Sequence, residues 1–235
     1  MGPTKTELTR RTLADQLVDH LGRDIAFRRL APGVRLREVD LATRYAVSRP
    51  LVREVLRRLE GVGLAESAAW RGSSVPILTA EELGDLHDFA GQTFAFTARL
   101  AARRANPDRL AVIDRSVHRL EQIAADPRGD AESYEGARTA ARQAVERASG
   151  PIYKLAHRRS MLRGLGHQFS HDNVRTVEQR ALSAKRWRRL CALITAGEAE
   201  EAYAHAICMY TDTRAAVLEA HAEVMAALNV KANDS

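Results

Sequence analysis

Apolar residues near the start of the chain recur with the spacing of helices. Stripes at three- and four-residue intervals predict one helix from Leu8 to Arg29 and a second from Glu38 to Tyr45. A third should run from Arg49 to Val62, because Ser48 is a good N-cap and Pro50 lies in the first turn, where its missing N–H is not needed. Three helices are therefore expected at the start of the chain.

Beyond the third helix the pattern becomes extended. Short runs from Leu64 to Ala68 and from Ser74 to Leu78 predict two strands, separated by the hairpin-like sequence Trp70-Arg71-Gly72-Ser73. Thr79-Ala80-Glu81-Glu82 then has the spacing of a capping box, which opens a new helix. We therefore expect one domain over residues 1–78 and a second over residues 79–235.

Helical periodicity continues through the second domain. Its breaks contain proline or glycine and lie at Asn106-Pro107, Asp126-Pro127-Arg128-Gly129, Gly150-Pro151 and Gly197. Three helices followed by a hairpin are the architecture of a winged helix-turn-helix. The predicted fold class is therefore mainly α, with an N-terminal winged helix-turn-helix and a C-terminal all-helical bundle of six or seven helices.

Composition narrows the class of protein. With 45% hydrophobic and 28% charged residues the chain can bury a core, which excludes disordered and coiled-coil proteins. No apolar run is long enough to span a membrane, and no apolar run follows the charged first residues, so we expect a cytoplasmic protein with no membrane partner. Cys191 and Cys208 form no CxxC pair, so a disulfide scaffold is excluded.

Positive charge is concentrated in the first domain. Residues 1–78 contain 14 basic and 9 acidic residues, whereas the rest of the chain contains 22 and 21. Double-stranded DNA is the natural partner for such a domain, because neutralised phosphates release counterions whatever the base sequence. A solvated basic face without a partner is the alternative that charge alone leaves open.

Residues suited to reading DNA lie on the third predicted helix. Arg49 and Arg53 share one face, and an arginine fork donates bidentately to guanine, so we assign base reading to this pair. Arg57 lies a turn further on, where only the DNA backbone is within reach, and Ser48 can bind a phosphate. The alternative is that these arginines form only a solvated helix face.

Two other segments complete the predicted DNA-binding surface. Arg37, just before the second helix, is a candidate phosphate ligand. Arg71 and Gly72 lie at the predicted hairpin tip, where glycine permits the turn and arginine is drawn to the negative potential of the minor groove. The predicted DNA-binding residues are Arg37, Ser48, Arg49, Arg53, Arg57, Arg71 and Gly72.

Two stretches of this domain resemble the N-terminal domain of GntR-family bacterial transcriptional regulators. They are Leu30-Ala31-Pro32-Gly33-Val34-Arg35-Leu36-Arg37-Glu38 with Asp40-Leu41-Ala42, and Val47-Ser48-Arg49 with Val52-Arg53-Glu54-Val55-Leu56-Arg57-Arg58-Leu59-Glu60. The resemblance covers about residues 10–78 and implies base reading by Arg49 and Arg53. Pro50-Leu51 stand where the family usually has Thr-Pro, so we expect an operator that differs from the family's usual one.

The second domain resembles, more weakly, the helical domain called FCD of the FadR-like subfamily, which binds a small acid or acyl effector and dimerises. Many members hold a divalent metal there through an Asp and three His. The matching positions in this chain are Arg138, Arg142, Trp187 and Met209, and none of them is an expected ligand. The resemblance therefore implies that the usual metal site is absent, and we expect no cofactor.

The loss of those ligands leaves two interpretations of the bundle. In the first, Arg138 or Arg142 pairs with the acid group of a hydrophobic effector inside an enlarged apolar cavity. The lining of that cavity would come from Phe89, Phe94, Phe96, Trp187, Met209 and Tyr210. In the second, the same residues are only the bundle core and no effector binds.

A separate pair of histidines has metal-ligand spacing. His167 and His171 are four residues apart, with Asp172 beside the second, but the Glu of an HExxH hydrolase is missing. The sequence names no third ligand. Whether this pair binds a metal stays open at this point.

The sequence therefore predicts a DNA-binding transcriptional regulator that occupies an inverted-repeat operator as a homodimer and responds to a small effector. One alternative is an effector-independent regulator, whose bundle only dimerises or binds a protein partner. Another is a DNA-binding domain fused to a metalloenzyme, although the chain has neither a GxSxG motif nor a glycine-rich phosphate loop. We do not expect an enzyme.

Overall fold

The computed structural model describes residues 12–68, 72–104, 106–151, 169 and 171–233. Contacts between residues divide the chain into two compact units, Met1–Ile77 and Leu78–Ser235. The first is a small mixed unit and the second is helical in the part that the structure describes.

The first unit contains the three helices expected from the sequence. Helix α1 spans Leu13–Ala26, α2 spans Glu38–Tyr45 and α3 spans Arg49–Gly61. A reciprocal capping box between Thr12 and Asp15 starts α1. Their buried apolar faces meet in one core that includes Leu21, Ile25, Leu41, Val52, Val55, Leu59 and Leu64. Helix α1 ends three residues before the predicted Arg29, because Arg28 has a positive φ of 54°, and the predicted start at Leu8 lies outside the described residues.

Three short strands complete this unit. Strands β1 (Arg35–Leu36), β2 (Glu66–Ala68) and β3 (Gly72–Ser74) form an antiparallel sheet in the order β1-β3-β2. A strand was predicted from Ser74 to Leu78, but β3 ends at Ser74, so most of this prediction was wrong. Backbone pairing ends one residue beyond β3, at Val75, because Pro76 has no N–H to donate.

The second unit is a bundle of long helices. Within its described residues these are α4 (Ala80–Arg104), α5 (Pro107–Ala125), α6 (Ala131–Ala148), α7 (Val177–Ala196) and α8 (Ala199–Asn233). A short 3-10 helix spans His171–Val174. Side chains of Asn106, Asp130 and Thr176 cap the helices that follow them, and Gly197 ends α7 in the left-handed region with φ 76°.

A close approach of α4 to α8 organises the bundle. A Cβ added at Gly91 would lie 2.9 Å from the Cβ of Tyr210, so only glycine allows these helices to come so near. Buried Phe94, Tyr134 and Leu190 fill the core between the helices. The predicted fold class, a winged helix-turn-helix with an all-helical bundle, is confirmed.

In the part of the chain that the structure describes, no helix is both long enough and apolar enough to cross a bilayer.

Candidate functional site

Helix α3 presents arginines to solvent because its other face is committed to the core. Ser48 caps the helix and accepts a hydrogen bond from the N–H of Leu51 at 3.4 Å. Its inner face, at Val52, Val55, Leu56 and Leu59, is buried. The side chains of Arg49 and Arg53 are 57% and 56% exposed. The predicted pair of arginines therefore lies on one open surface.

One carboxylate contacts both of these arginines. Nε of Arg53 donates to both carboxylate oxygens of Glu38, at 2.8 and 2.9 Å, and Nη2 of Arg49 lies 3.5 Å from one of them. The hydrogen bond from Arg53 holds the pKa of the Glu38 carboxyl below its usual value. Sequence reasoning did not assign Glu38 a role, although an acid at the start of α2 is visible in the sequence.

Arg57 and Arg58, one turn further along α3, have other partners. Nε of Arg57 donates toward the carbonyl oxygen of Arg53, at 3.5 Å, and its side chain is exposed. Arg58 pairs with Asp15 on α1 at 2.7 Å and with Glu54 at 2.5 Å. Arg58 therefore joins α3 to α1.

The wing is tied to the end of α3 through Glu60. Its carboxylate accepts hydrogen bonds from the hydroxyls of Ser67 and Ser73, which lie on neighbouring strands. Gly72 has φ 75° and is exposed, as a glycine at a hairpin tip requires. Arg71, the predicted wing-tip arginine, lies outside the described residues.

The remaining predicted phosphate ligand lies at the start of α2. Arg37 occupies the N-cap position, is exposed and makes no side-chain capping bond. Nearby, the buried carboxylate of Asp24 accepts hydrogen bonds from Arg29 and from the hydroxyl of Tyr45, each at 3.3 Å. This polar cluster anchors the end of α2 to α1 and was not foreseen from the sequence.

A cavity of about 250 Å³ opens inside the helical unit. Helices α4, α6, α7 and α8 supply its walls, together with the 3-10 helix. Leu86, Ala90, Val174, Trp187 and Met209 form its apolar surface. Arg138, Arg142, Trp187 and Met209, which the resemblance placed at the metal positions of related domains, all line this cavity.

Charged side chains also face the cavity, and they include Glu135, Arg186 and Asp212 besides the expected Arg138 and Arg142. Arg138 pairs with Glu135, and Nη2 of Arg186 lies 2.7 Å from a carboxylate oxygen of Asp212. With Arg142, 7% exposed, the lining holds three arginines and two carboxylates. Helix α6 supplies Glu135, Arg138 and Arg142 from one face, α7 supplies Arg186 and α8 supplies Asp212.

Histidine 87 is a further lining residue that the sequence did not single out. It is 7% exposed, and its Nε2 lies 2.9 Å from the carbonyl oxygen of Tyr210, so Nε2 donates in the neutral ring. Burial lowers the pKa of His87 below its ordinary value. The ring therefore stays neutral down to a lower pH than an exposed histidine.

Three aromatic residues predicted to line the cavity lie elsewhere. Phe94 is 1% exposed and is a core residue, because it packs behind the ring of Trp187 at a centroid distance of 5.5 Å. Phe89 and Phe96 are 51% and 37% exposed and lie on the outer surface of α4. Their positions on the helix turn them away from the cavity.

Among the described residues no three His, Cys, Asp or Glu side chains are grouped so as to hold a metal ion. His167 lies outside the described residues, and His171 begins the 3-10 helix. The cavity itself offers arginine, tryptophan and methionine where the related domains have Asp and His, a set that does not fit a divalent cation.

Two curated proteins that match part of this chain are transcriptional regulators. A probable D-xylose utilization operon transcriptional repressor of Paenarthrobacter nicotinovorans is 34% identical over 102 residues, 43% of this chain and 45% of that protein. The Nta operon transcriptional regulator of Aminobacter aminovorans is 37% identical over 82 residues, 35% of this chain and 39% of that protein. The chain spans less than half the length of these relatives.

Solved structures extend the likeness to the whole fold. The Escherichia coli protein McbR/YncC covers 89% of this chain and 99% of its own, with 20% identity and a TM-score of 0.76. A transcriptional regulator from a Rhodococcus species, described as a putative GntR protein, covers 88% and 97%, with 19% identity and a TM-score of 0.67. At these identities the likeness shows the fold alone.

The match to a family is sharper in the first unit. The sequence model of a family described as bacterial regulatory proteins, gntR family, matches residues 13–75. Those residues include helices α1 to α3 and the three strands. Residues 13–75 of this chain are therefore similar to bacterial regulatory proteins of the gntR family.

Proposed function

We propose that the protein is a transcriptional regulator that binds a specific double-stranded DNA operator through its N-terminal unit. The observation that carries this proposal is the exposed pair Arg49 and Arg53 on the capped helix α3, within a winged helix-turn-helix. In such domains the third helix enters the major groove, where an arginine fork can donate to O6 and N7 of guanine. No enzymatic activity is inferred, since the relatives are named as regulators.

A homodimer on an inverted repeat is part of the proposal. A single winged helix covers only a few base pairs, and two copies related by a twofold axis read a twofold operator. The helical unit resembles the FCD domain of the FadR-like subfamily, and we propose that this unit forms the contact between the two copies. Arg37, Ser48, Arg57, Arg71 and Gly72 keep their proposed roles as contacts to the DNA backbone and minor groove.

In vitro selection from random duplex DNA tests this function. The full chain is incubated with the library at two salt concentrations, because phosphate attraction falls steeply with salt whereas base reading persists. An enriched inverted repeat is the expected result. Binding that is lost with salt and enriches no sequence would mean that the basic unit grips phosphates only, which contradicts the proposal.

The cavity in the helical unit supports a further part of this proposal, which is that a small effector controls the regulator. Its volume of about 250 Å³ suits a small acid with an apolar ring better than an acyl-CoA, and its lining combines Trp187 and Met209 with an excess of arginine. Arg138 or Arg142 would bind the acid group, since charge-assisted pairs with arginine are strong and directional. No metal is required for this arrangement.

Thermal-shift measurements decide between effector control and an effector-independent regulator. A panel of aromatic acids, fatty acids and acyl-CoAs is screened with the full chain and with Met209→Trp, whose larger side chain fills part of the cavity. A rise in melting temperature with a small aromatic acid, absent in the variant, is expected, because ligand binding to the folded state stabilises it. No shift across the panel would favour a bundle that only dimerises or binds a protein.

A further inference from the structure

One acidic side chain stands within the proposed DNA-reading surface. Glu38 opens α2, and both of its carboxylate oxygens lie within 2.9 Å of Nε of Arg53. The same carboxylate lies 3.5 Å from Nη2 of Arg49. A negative charge at this place repels the phosphates of any DNA, whatever its sequence. Because Glu38 weakens binding to all DNA, we expect it also to have a favourable effect that depends on the base sequence of the DNA.

The guanidinium nitrogen of Arg53 that Glu38 contacts indicates what this favourable effect is. An arginine can meet guanine through two edges of its fork, either Nε with Nη2 or Nη1 with Nη2. Glu38 engages Nε, and in the described part of the chain neither Nη1 nor Nη2 of Arg53 has a hydrogen-bond partner. The terminal edge of the guanidinium is thus the one that stays open.

Holding the side chain also removes freedom before DNA arrives. Arg53 is 56% exposed, and an unrestrained arginine on such a surface samples many rotamers that binding must freeze. A carboxylate that already fixes Nε reduces that loss on binding. The restraint is selective, because it favours a ligand whose acceptors meet the terminal edge, as O6 and N7 of guanine do.

We propose that Glu38 is a specificity-determining residue, which positions Arg53 so that its terminal guanidinium edge donates to a guanine. This inference rests on the proposed function, since it presupposes sequence-specific DNA binding. Glu38 raises the ratio of operator affinity to random-DNA affinity, and it does so while weakening attachment to random DNA. Its role is to orient an arginine, not to touch DNA.

A pair of matched variants separates orientation from charge. Glu38→Gln removes the charge and keeps the shape, whereas Asp40→Asn makes the same charge change two residues along α2, at an exposed side chain that contacts neither Arg49 nor Arg53. Affinities of the full chain are measured for the selected operator and for random duplex DNA at one salt concentration. Thermal unfolding of each variant checks that the fold is kept.

We expect the ratio of operator affinity to random-DNA affinity to fall in Glu38→Gln and to stay unchanged in Asp40→Asn. Glu38→Gln is expected to bind random DNA at least as tightly as the unsubstituted chain but the operator about 3- to 10-fold more weakly, the scale of one immobilised side chain. Asp40→Asn is expected to bind both DNAs equally or slightly more tightly, with an unchanged ratio. In an Arg53→Ala background, Glu38→Gln should no longer change the ratio, because its positioned partner is gone.

Each other outcome has a definite meaning. If Glu38→Gln strengthens operator and random binding by the same factor, Glu38 is only a repulsive charge and the inference is wrong. If the ratio falls equally in both variants, or still falls in the Arg53→Ala background, the positioning role is likewise overturned. If the unsubstituted chain shows no preference for any sequence, the proposed function fails first, and this inference fails with it.

Discussion

Arginines on α3 and arginines around the bundle cavity differ in exposure and in the acids that face them. Side chains of Arg49 and Arg53 are more than half exposed and share one carboxylate, from Glu38. Around the cavity, the side chain of Arg138 is 17% exposed and pairs with the more buried Glu135, and Arg142 is 7% exposed. The arginines Arg49 and Arg53 therefore lie at the surface of the first unit, whereas Arg138 and Arg142 lie inside the second.

This difference separates two uses of the same side chain. An exposed arginine has paid no desolvation cost, so it contributes little to stability and is ready to meet a polyanion. Burial of an arginine costs desolvation free energy unless an acid pairs with it. A buried arginine therefore either stabilises local structure through such a pair or binds a charged ligand. Substitutions of Arg49 and Arg53 should therefore change DNA binding and spare the fold, and substitutions of buried residues in the bundle should do the reverse.

The largest expected effect is on the stability of the bundle. Phe94→Ala removes a side chain that is 1% exposed and leaves a cavity beside Trp187, so we expect a loss of about 3–5 kcal/mol in the free energy of unfolding. Denaturant unfolding measures it. Phe89→Ala, at 51% exposure on the same helix, is the control and should change stability by less than about 0.5 kcal/mol. Equal losses would contradict the assigned core.

The next effect is on DNA binding. Arg49→Ala and Arg53→Ala are each expected to weaken operator binding by about 1–3 kcal/mol through loss of a bidentate base contact, with little change in stability. Fluorescence anisotropy with operator and random duplexes measures it. Arg57→Ala should instead weaken both DNAs together, as loss of a phosphate contact does. Unchanged operator affinity in both base-reading variants would refute their assignment.

A smaller effect is expected at the cap of α3. Ser48→Ala should lower the stability of the N-terminal unit by about 1 kcal/mol, because the N–H of Leu51 loses its acceptor. Ser48→Asp restores a capping oxygen but adds a negative charge that faces phosphate. We expect this second variant to regain stability while operator affinity falls. A variant that regains both would show that Ser48 has no DNA contact.

The smallest effect concerns pH and belongs to the bundle. Burial lowers the pKa of His87 below its ordinary value of 6.5, so the unfolded chain takes up a proton before the folded chain does. Stability from this group is complete above that value and decreases as pH falls below it, by at most about 1.4 kcal/mol per pH unit. Unfolding curves of His87→Gln should lack this part of the slope, and exposed His118→Gln should keep it.

Much of the fold follows from local sequence. Boundaries of α2 and α3 were predicted to within one residue, because Ser48 and Pro50 are strong starting signals and the apolar stripe is regular. The strand after the hairpin was misplaced, since its position depends on pairing with β1 and not on its own residues. Local chemistry therefore predicts helices better than it predicts short strands.

The candidate site divides in the same way. Exposure of Arg49 and Arg53 follows from helical spacing within one element. Their contact with Glu38 joins two helices, so it required the folded unit. Phe94, placed in the cavity from its apolar character, lies in the core instead, because apolar residues on a wide helix face can point either into a cavity or behind it. Spacing alone cannot distinguish these positions.

Base reading by the arginines of α3 is the central claim about this protein. Selection from random duplex DNA, carried out in parallel with the unsubstituted chain and with Arg53→Ala, tests that claim directly. We predict that the unsubstituted chain enriches an inverted repeat, and that Arg53→Ala loses the preference for guanine at one position in each half-site while the rest of the repeat persists. Enrichment of the same repeat with every position equally preferred by both proteins would contradict the claim.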